Sequence, residues 1–264
     1  MKTLSVIVPS INPDTWRNIF EQLKLSVGNY EFELITVGPP PLAEQELDYE
    51  RKKYFNDLAN EDNFIYIQDF GSPSRSFQRG VESSSGKYIA FIPDDCVLDE
   101  NGFEKCIDVL EEKPENHGII LMYDEGPGKM SEDPSYWIGR THEGLRLSGV
   151  KDDWRIAPCF MYQTSYFVSM GGLDCSLEHV NMNGHSLAFV TQHNGGEIHY
   201  SPSRVFACSW EPPTEATTLY QAYIKNDLPK FKAFWKNPNA AESYNISFDN
   251  WKDQPEKWPR RYPQ

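Results

Sequence analysis

The chain has little of what marks a membrane-spanning, secreted or nucleic-acid-bound protein. No apolar run approaches the ~18–20 residues needed to cross a bilayer. The opening Met1-Lys2-Thr3-Leu4-Ser5-Val6-Ile7-Val8-Pro9 has one cation, a short apolar run and no small-residue cleavage site, so it reads as a strand and not a leader. Positive charge is scarce: 25 Lys and Arg against 39 Asp and Glu leave a net charge of −14. Phosphate backbones and anionic lipids are both held by clustered Lys and Arg, so neither is the expected main partner. The five cysteines, Cys96, Cys106, Cys159, Cys175 and Cys208, are odd in number and lack C-x-x-C spacing. That fits reduced, packed thiols in a cytosolic protein and argues against a zinc site. Asn245-Ile246-Ser247 matches a glycosylation sequon but, without a leader, reads as chance.

Familiar catalytic motifs are missing as well. Gly80 to Gly86-Lys87 imitates a phosphate loop, yet five residues separate its glycines and it enters a strand. His142-Glu143 has Arg146 where a zinc-protease motif needs its second histidine. There is no G-x-G-x-x-G and no G-x-S-x-G elbow.

What is present is a core and an alternating period. With 264 residues, 39% hydrophobic and 14% aromatic, the chain can bury one or two domains. Leu4 to Val8, Phe32 to Val37, Phe64 to Ile67, Lys87 to Ile92 and Ile119 to Tyr123 read as strands. Between them, Trp16, Ile19, Phe20 and Leu23 mark one buried helix face, opened by Asn12-Pro13-Asp14. Residues 43–58 and 74–85 read as helices, as does the stretch holding Phe103, Cys106, Ile107 and Leu110. Residues 124–155 lack a period and read as a long loop. Leu187 to Val190 sit in a short helix, followed by strands at Glu197 to Tyr200 and Arg204 to Cys208. The pattern predicts an α/β fold: a doubly wound, mostly parallel sheet flanked by helices, with ligands at the carboxyl ends of the strands.

At one such end, Pro93-Asp94-Asp95-Cys96 follows the fourth strand. Adjacent carboxylates there are costly unless a cation joins them, and oxygen donors suit Mg²⁺ or Mn²⁺. The plainer reading, in which the two acids solvate a turn, has equal weight on position alone.

These segments resemble family 2 glycosyltransferases with the GT-A fold. Leu4 to Asn12 resembles the opening strand, and Gly71 to Gly80 with Ser85 to Asp95 resembles the run into the metal-binding D-x-D. Gly171-Gly172-Leu173-Asp174 is similar to the G-G-F-D turn, and Gly195-Gly196-Glu197-Ile198 to the later strand entry. The resemblance covers residues 1–211, taken as one GT-A-like domain binding nucleotide-sugar and acceptor. Residues 212–264 are expected to form an aromatic and polar extension packed on it, with Trp258, Arg260 and Arg261 as alternative partner or membrane-surface contacts. The resemblance implies a hexosyltransferase-type enzyme moving sugar, with inversion, from a nucleotide-diphosphate sugar to an acceptor hydroxyl, in polysaccharide or glycan synthesis. It further implies a Mn²⁺ or Mg²⁺ cofactor, a glycan or lipid-linked acceptor and a cytoplasmic location, including the inner membrane face. A homo-oligomer is compatible with it.

Three departures shape the expected site. The first acid of D-x-D is Pro93, which leaves Asp95 as the metal ligand. The family's Arg-Asn pair is Phe77-Gln78, and its Glu-Asp pair falls on Asn183-Gly184. The expected base is therefore Glu178 (from the pair Glu178-His179), then His185, whose plainer reading is a buried core histidine. Pro9, Ser10, Asn12, Gly38, Arg75 and Asp94 are the expected substrate contacts, with Arg79 beside Arg75. Two rivals stand: a degenerate member that binds nucleotide-sugar or glycan without turnover, and a nucleotidyltransferase.

Overall fold

A computed structural model describes residues 2–40, 49–125, 147–208 and 218–257. Its strands are β1 (Leu4–Pro9), β2 (Phe32–Gly38), β3 (Phe64–Gln68), β4 (Tyr88–Phe91), β5 (Cys96–Leu98), β6 (Gly118–Ile120), β7 (Tyr123–Glu125), β8 (Phe160–Gln163), β9 (Ile198–Tyr200) and β10 (Phe206–Cys208). Seven form one sheet in the order β3-β2-β1-β4-β8-β6-β9, and β5-β10-β7 form a second. In the large sheet only β8 runs antiparallel to its neighbours β4 and β6. The mostly parallel α/β architecture is thus the expected one. β1 and β2 are buried at every residue, as strands covered on both faces must be.

Helices α1 (Trp16–Ser26), α2 (Tyr49–Ala59), α3 (Pro73–Glu82) and α4 (Gly102–Glu111) supply the crossovers. α1 buries Trp16, Ile19, Phe20 and Leu23, the face its period predicts. Its entry differs in detail: Pro13–Thr15 form a 3₁₀ turn, and the Asn12 side chain makes no cap bond. α3 lies so near β1 that a Cβ on Gly80 would come within 2.5 Å of Ile7 Cγ2.

Later elements depart further from expectation. The fifth strand splits after Ile120, because Leu121 N–H donates to Cys159 O and Met122 N–H to Ser201 Oγ, turning the chain into the second sheet. Tyr123–Glu125 then pairs with β10, and Arg204 joins Asp99 to Asp124 across that sheet. α5 (Thr164–Ser169) follows β8, and the expected short helix is α6 (Val180–His193), fourteen residues long. α6 is buried on almost every face, so it has no amphipathic period to read. After it come α7 (Thr218–Ala222), a π-helical segment (Tyr223–Asp227), α8 (Leu228–Trp235), α9 (Ala240–Ser243) and a 3₁₀ turn (Phe248–Asp253). Phe231, Trp235, Ala240 and Ala241 belong to the same hydrophobic core as β1. The middle of the expected loop (126–146), residues 43–48, the proposed boundary at 211 and 212, and Trp258, Arg260 and Arg261 lie outside the described residues.

A buried carboxylate ties the amino ends of the central strands. Glu33 accepts from Ser5 Oγ (2.5 Å), Ser85 N–H (2.6 Å) and Ser85 Oγ (3.0 Å), while Gly86 N–H donates to Ser5 Oγ (2.9 Å). A Cβ on Gly86 would sit 2.6 Å from Ser5 N, so the chain approaches β1 only because this residue is glycine. Glu33→Ala strands these donors in a buried place and is expected to cost about 2–4 kcal/mol in urea unfolding. A loss below about 1 kcal/mol would show that water replaces the carboxylate there.

Candidate functional site

β2 and β3 extend from one side of β1, and β4 returns on the other. The crossovers therefore part between β1 and β4, which opens a crevice at their carboxyl ends. Pro9 ends β1 and Ser10 follows it into the crevice, Gly38 ends β2, and Asp94-Asp95 lie between β4 and β5. Ser10 is buried, and its hydroxyl donates to Asp94 Oδ2 at 2.7 Å. The same hydroxyl oxygen accepts from Trp16 Nε1 (2.7 Å) and Asn12 N–H (3.1 Å), and Ile11 N–H adds a 3.2 Å bond to Asp94 Oδ2. A Cβ on Gly38 would lie 1.7 Å from Ser10 O, so only glycine lets β2 close on this loop. Asn12 is exposed at the rim.

Asp95 stands next to this clamp as an exposed residue, with its carboxyl partly enclosed by protein. That enclosure, and then the neighbouring Asp94 charge, raise its pKa to about 6. The two acids fit a hard divalent cation: Mg²⁺-like ions need only one or two protein carboxylates, taking their remaining oxygens from water and diphosphate. Asp95 would hold such an ion, and Asp94 is already held by Ser10 and Ile11.

Beside the crevice, the start of α3 carries Arg75. Its side chain is 3% exposed and folds over the buried Asp69, with Nε 3.2 Å from both carboxylate oxygens. Nη1 donates to Trp251 O (2.5 Å) and Gln254 O (3.0 Å), and the guanidinium lies 4.8 Å from the Trp251 ring centre. Arg79 Nη1 adds a 2.8 Å bond to Asp69. Arg75 thus anchors the C-terminal segment to the mouth of α3, and Arg79 is the more exposed of the two cations.

The Gly171-Gly172-Leu173-Asp174 turn uses left-handed φ values of 85° and 71° at its glycines. Gln78 holds it, donating to Gly171 O and Phe248 O and accepting from Leu173 N–H. Phe77 packs edge-on against Phe91, Phe160 and Phe167. Phe77-Gln78 therefore works as core and turn support. Asn183 is equally committed: its amide donates to Ser74 Oγ, Asp174 O and His179 O, and it accepts from Asp174 N–H. A Cβ on Gly184 would lie 2.1 Å from Ala157 O, which excludes an acid at that position without backbone movement.

Glu178 lies where the first turns of α3 and α6 meet. Its carbonyl accepts from Ser74 N–H, and Asp227, fully buried, accepts from the N–H groups of Glu178 (2.8 Å) and His179 (2.7 Å). Asp227 and Trp251 were not legible as parts of this site, since both come from the tail that the motifs leave uncovered. His185 keeps some surface at solvent, but its Nδ1 is sealed from water with no hydrogen-bond partner among the described residues. Phe231 packs edge-on to the ring at 6.4 Å, and burial lowers its pKa to about 4.

The sequence matches the model of the family described as glycosyl transferase family 2 over residues 5–170. The chain belongs to glycosyl transferase family 2. Its fold is shared with S. aureus TarS residues 1–349 (14% identity, 91% of this chain and 72% of TarS, TM-score 0.54). The complex of that protein with UDP-GlcNAc matches at 12% identity over 90% of this chain and 72% of TarS, TM-score 0.56. GalNAc-T7 with UDP, GalNAc and Mn²⁺ matches at 14% identity and TM-score 0.60, over 96% of this chain and 56% of GalNAc-T7. At these identities the likeness shows the fold, which is GT-A. No curated protein matches the chain by sequence.

For this family 2 chain the His185 environment gives a pH signature. A folded pKa near 4 against ~6.5 unfolded means the unfolded chain binds more protons in between, so stability is full above pH 6.5 and falls toward pH 4. Between pH 7 and pH 5 the wild type is expected to lose about 2 kcal/mol more than His185→Phe in urea unfolding. Equal losses in the two proteins would show that the ring titrates normally.

Proposed function

We propose that this family 2 protein is a metal-dependent, inverting glycosyltransferase that moves a sugar from a nucleotide-diphosphate donor to an acceptor hydroxyl. The observation that carries the reading is the Asp94-Asp95 pair at the β1–β4 switch point, with Ser10 bonded to Asp94 and Gly38 packed on the Ser10 backbone. The printed ligands of the structural relatives, UDP-GlcNAc for TarS and UDP, GalNAc and Mn²⁺ for GalNAc-T7, support the donor class and the metal. A glycan or lipid-linked acceptor belongs to the same proposal.

Asp95 is the proposed ligand for Mn²⁺ or Mg²⁺, which supplies charge neutralisation for a departing diphosphate. Pro9, Ser10 and Asn12 shape the donor loop, and Gly38 contributes to the donor site by letting β2 close on that loop. Asp94 keeps that loop in register with Asp95. Glu178 is the proposed base that takes the proton from the acceptor hydroxyl as its oxygen attacks the anomeric carbon. Its backbone is fixed from two sides, by Ser74 and Asp227, which suits a carboxylate that must be aimed. His185, whose ring packs edge-on against Phe231, is the second candidate base.

A second reading has its own observation. Asn183 and Gly184 occupy the positions of the family's Glu-Asp pair, as a saturated amide and a closely packed glycine. That favours a donor-binding protein without turnover.

Thermal melts with UDP-, GDP-, dTDP- and CMP-sugars, each with and without Mn²⁺, test both. A donor at 100 times its Kd is expected to add about 2.7 kcal/mol. Asp95→Asn should remove the Mn²⁺-dependent part of that shift. Glu178→Gln should keep the shift while transfer falls about 10²–10⁴-fold. A metal-dependent shift without transfer to any hydroxyl acceptor would establish the binding-only reading, and no shift with any donor would overturn both.

A further inference from the structure

At the opposite end of the sheet from Asp95, three side chains converge that the proposed transfer does not use. His117 immediately precedes β6, and Glu197 and His199 flank Ile198 at the start of β9. β6 and β9 are parallel with Gly118 opposite Ile198, and Gly118 N–H donates to Glu197 O. Residues 197 and 199 therefore point to one face of the sheet, and 117 shares that face across the strand pair. The two imidazoles stack with centres 5.1 Å apart, and His117 Nδ1 lies 2.8 Å from His199 Nε2. Glu197 Oε2 is 3.8 Å from the same Nε2, and one donor atom from each residue falls within 4.8 Å of the others.

We propose that His117, Glu197 and His199 form a Zn²⁺ site that clasps the edge of the sheet. Bonds of ~2.0–2.2 Å in tetrahedral geometry put ligand atoms roughly 3.3–3.5 Å apart. The distances of 2.8 Å and 3.8 Å bracket that span, the shorter being a hydrogen bond between the two rings that a metal would replace. Two imidazoles and one carboxylate are a borderline donor set that suits Zn²⁺ better than the oxygen-seeking Mg²⁺. Burial lowers the pKa of both rings, which favours the neutral form that ligates. Lys113 and Arg155 lie close enough to oppose a cation, and Glu197 offsets one of those charges. Glu197 remains 70% exposed, which leaves an entry path and room for a water as fourth ligand.

The role follows from position. β9 is one of the two edge strands of the large sheet, and it and β6 are only three residues long, held to each other by three register pairs. A clasp between residues 117 and 199 closes a long loop of chain and fixes this edge without touching the reacting groups. Cysteine spacing gave no hint of it, because no cysteine takes part.

The full chain, stripped with a chelator, is titrated with Zn²⁺ by calorimetry and with Co²⁺ by visible absorption. The expected result is one Zn²⁺ per chain and a tetrahedral Co²⁺ spectrum, both retained in Asp95→Asn. Affinity should fall about 100-fold or more in His117→Ala and in His199→Ala, with circular dichroism reporting their folding. Glu197→Gln alters only an exposed side chain, so it decides the matter if the histidine variants do not fold: about a tenfold loss supports the site, and an unchanged affinity overturns it. Absence of Zn²⁺ binding, or binding lost only in Asp95→Asn, also overturns it.

Discussion

The hydrogen bond from Ser10 to Asp94 is the contact on which the proposed donor crevice depends. Two strands that are neighbours in the sheet but 84 residues apart in sequence end side by side, and nothing in their ladder fixes the loops beyond them. The carboxylate of Asp94 does this by accepting from Ser10 and Ile11, while Trp16 and Asn12 complete the bonding of the same hydroxyl. A buried hydroxyl with every partner satisfied has one low-energy orientation. Asp95 inherits its position from this arrangement, standing between Asp94 and the buried start of β5. Its raised pKa is the electrostatic cost of that placement, and a cation beside it would reverse the cost.

Legibility in the sequence followed burial geometry. β1, α1, β2 and the acids after β4 could be read because they keep clean periods or sit at a predictable end of a strand. α6 could not be sized, since its ten buried residues surround the helix and Gly184 and Asn183 resemble loop residues. The split of Ile119 to Tyr123 between two sheets depends on Ser201 and Cys159, which are distant in sequence. Arg75 was legible as a cation at the right place, but its commitment to Asp69 and Trp251 was not. A local pattern cannot show which distant backbone carbonyls will claim a guanidinium.

The departures at Phe77-Gln78 and Asn183 share one physical logic. Phe77 and Asn183 each put an uncharged side chain where the resemblance places an ion, and Gln78 and Asn183 each join the Gly171–Asp174 turn to another element. Neutral amides can be buried at low cost only when all their bonds are made. Asn183 meets that condition, with three acceptors for its amide hydrogens and a donor for its oxygen. A carboxylate there would lose the three acceptors it now donates to and would face their oxygens as repulsion.

The C-terminal segment then takes on work that the motifs do not describe. Trp251 and Gln254 receive Arg75, Phe248 receives Gln78, and Asp227 fixes the backbone of Glu178 and His179. Arg75, Gln78 and the backbone of Glu178 and His179 thus each have a partner beyond residue 217. The same segment walls a cavity of about 540 Å³ with Asp174, Ser186, Phe231, Trp235 and Tyr244, which includes none of the crevice residues Ser10, Gly38, Asp94 or Asp95. A change in the tail therefore reaches Glu178 through Asp227 and Arg75 through Trp251, while Asp95, fixed from β1, is insulated from it. On this wiring, the proposed donor crevice and the proposed base answer to different parts of the chain.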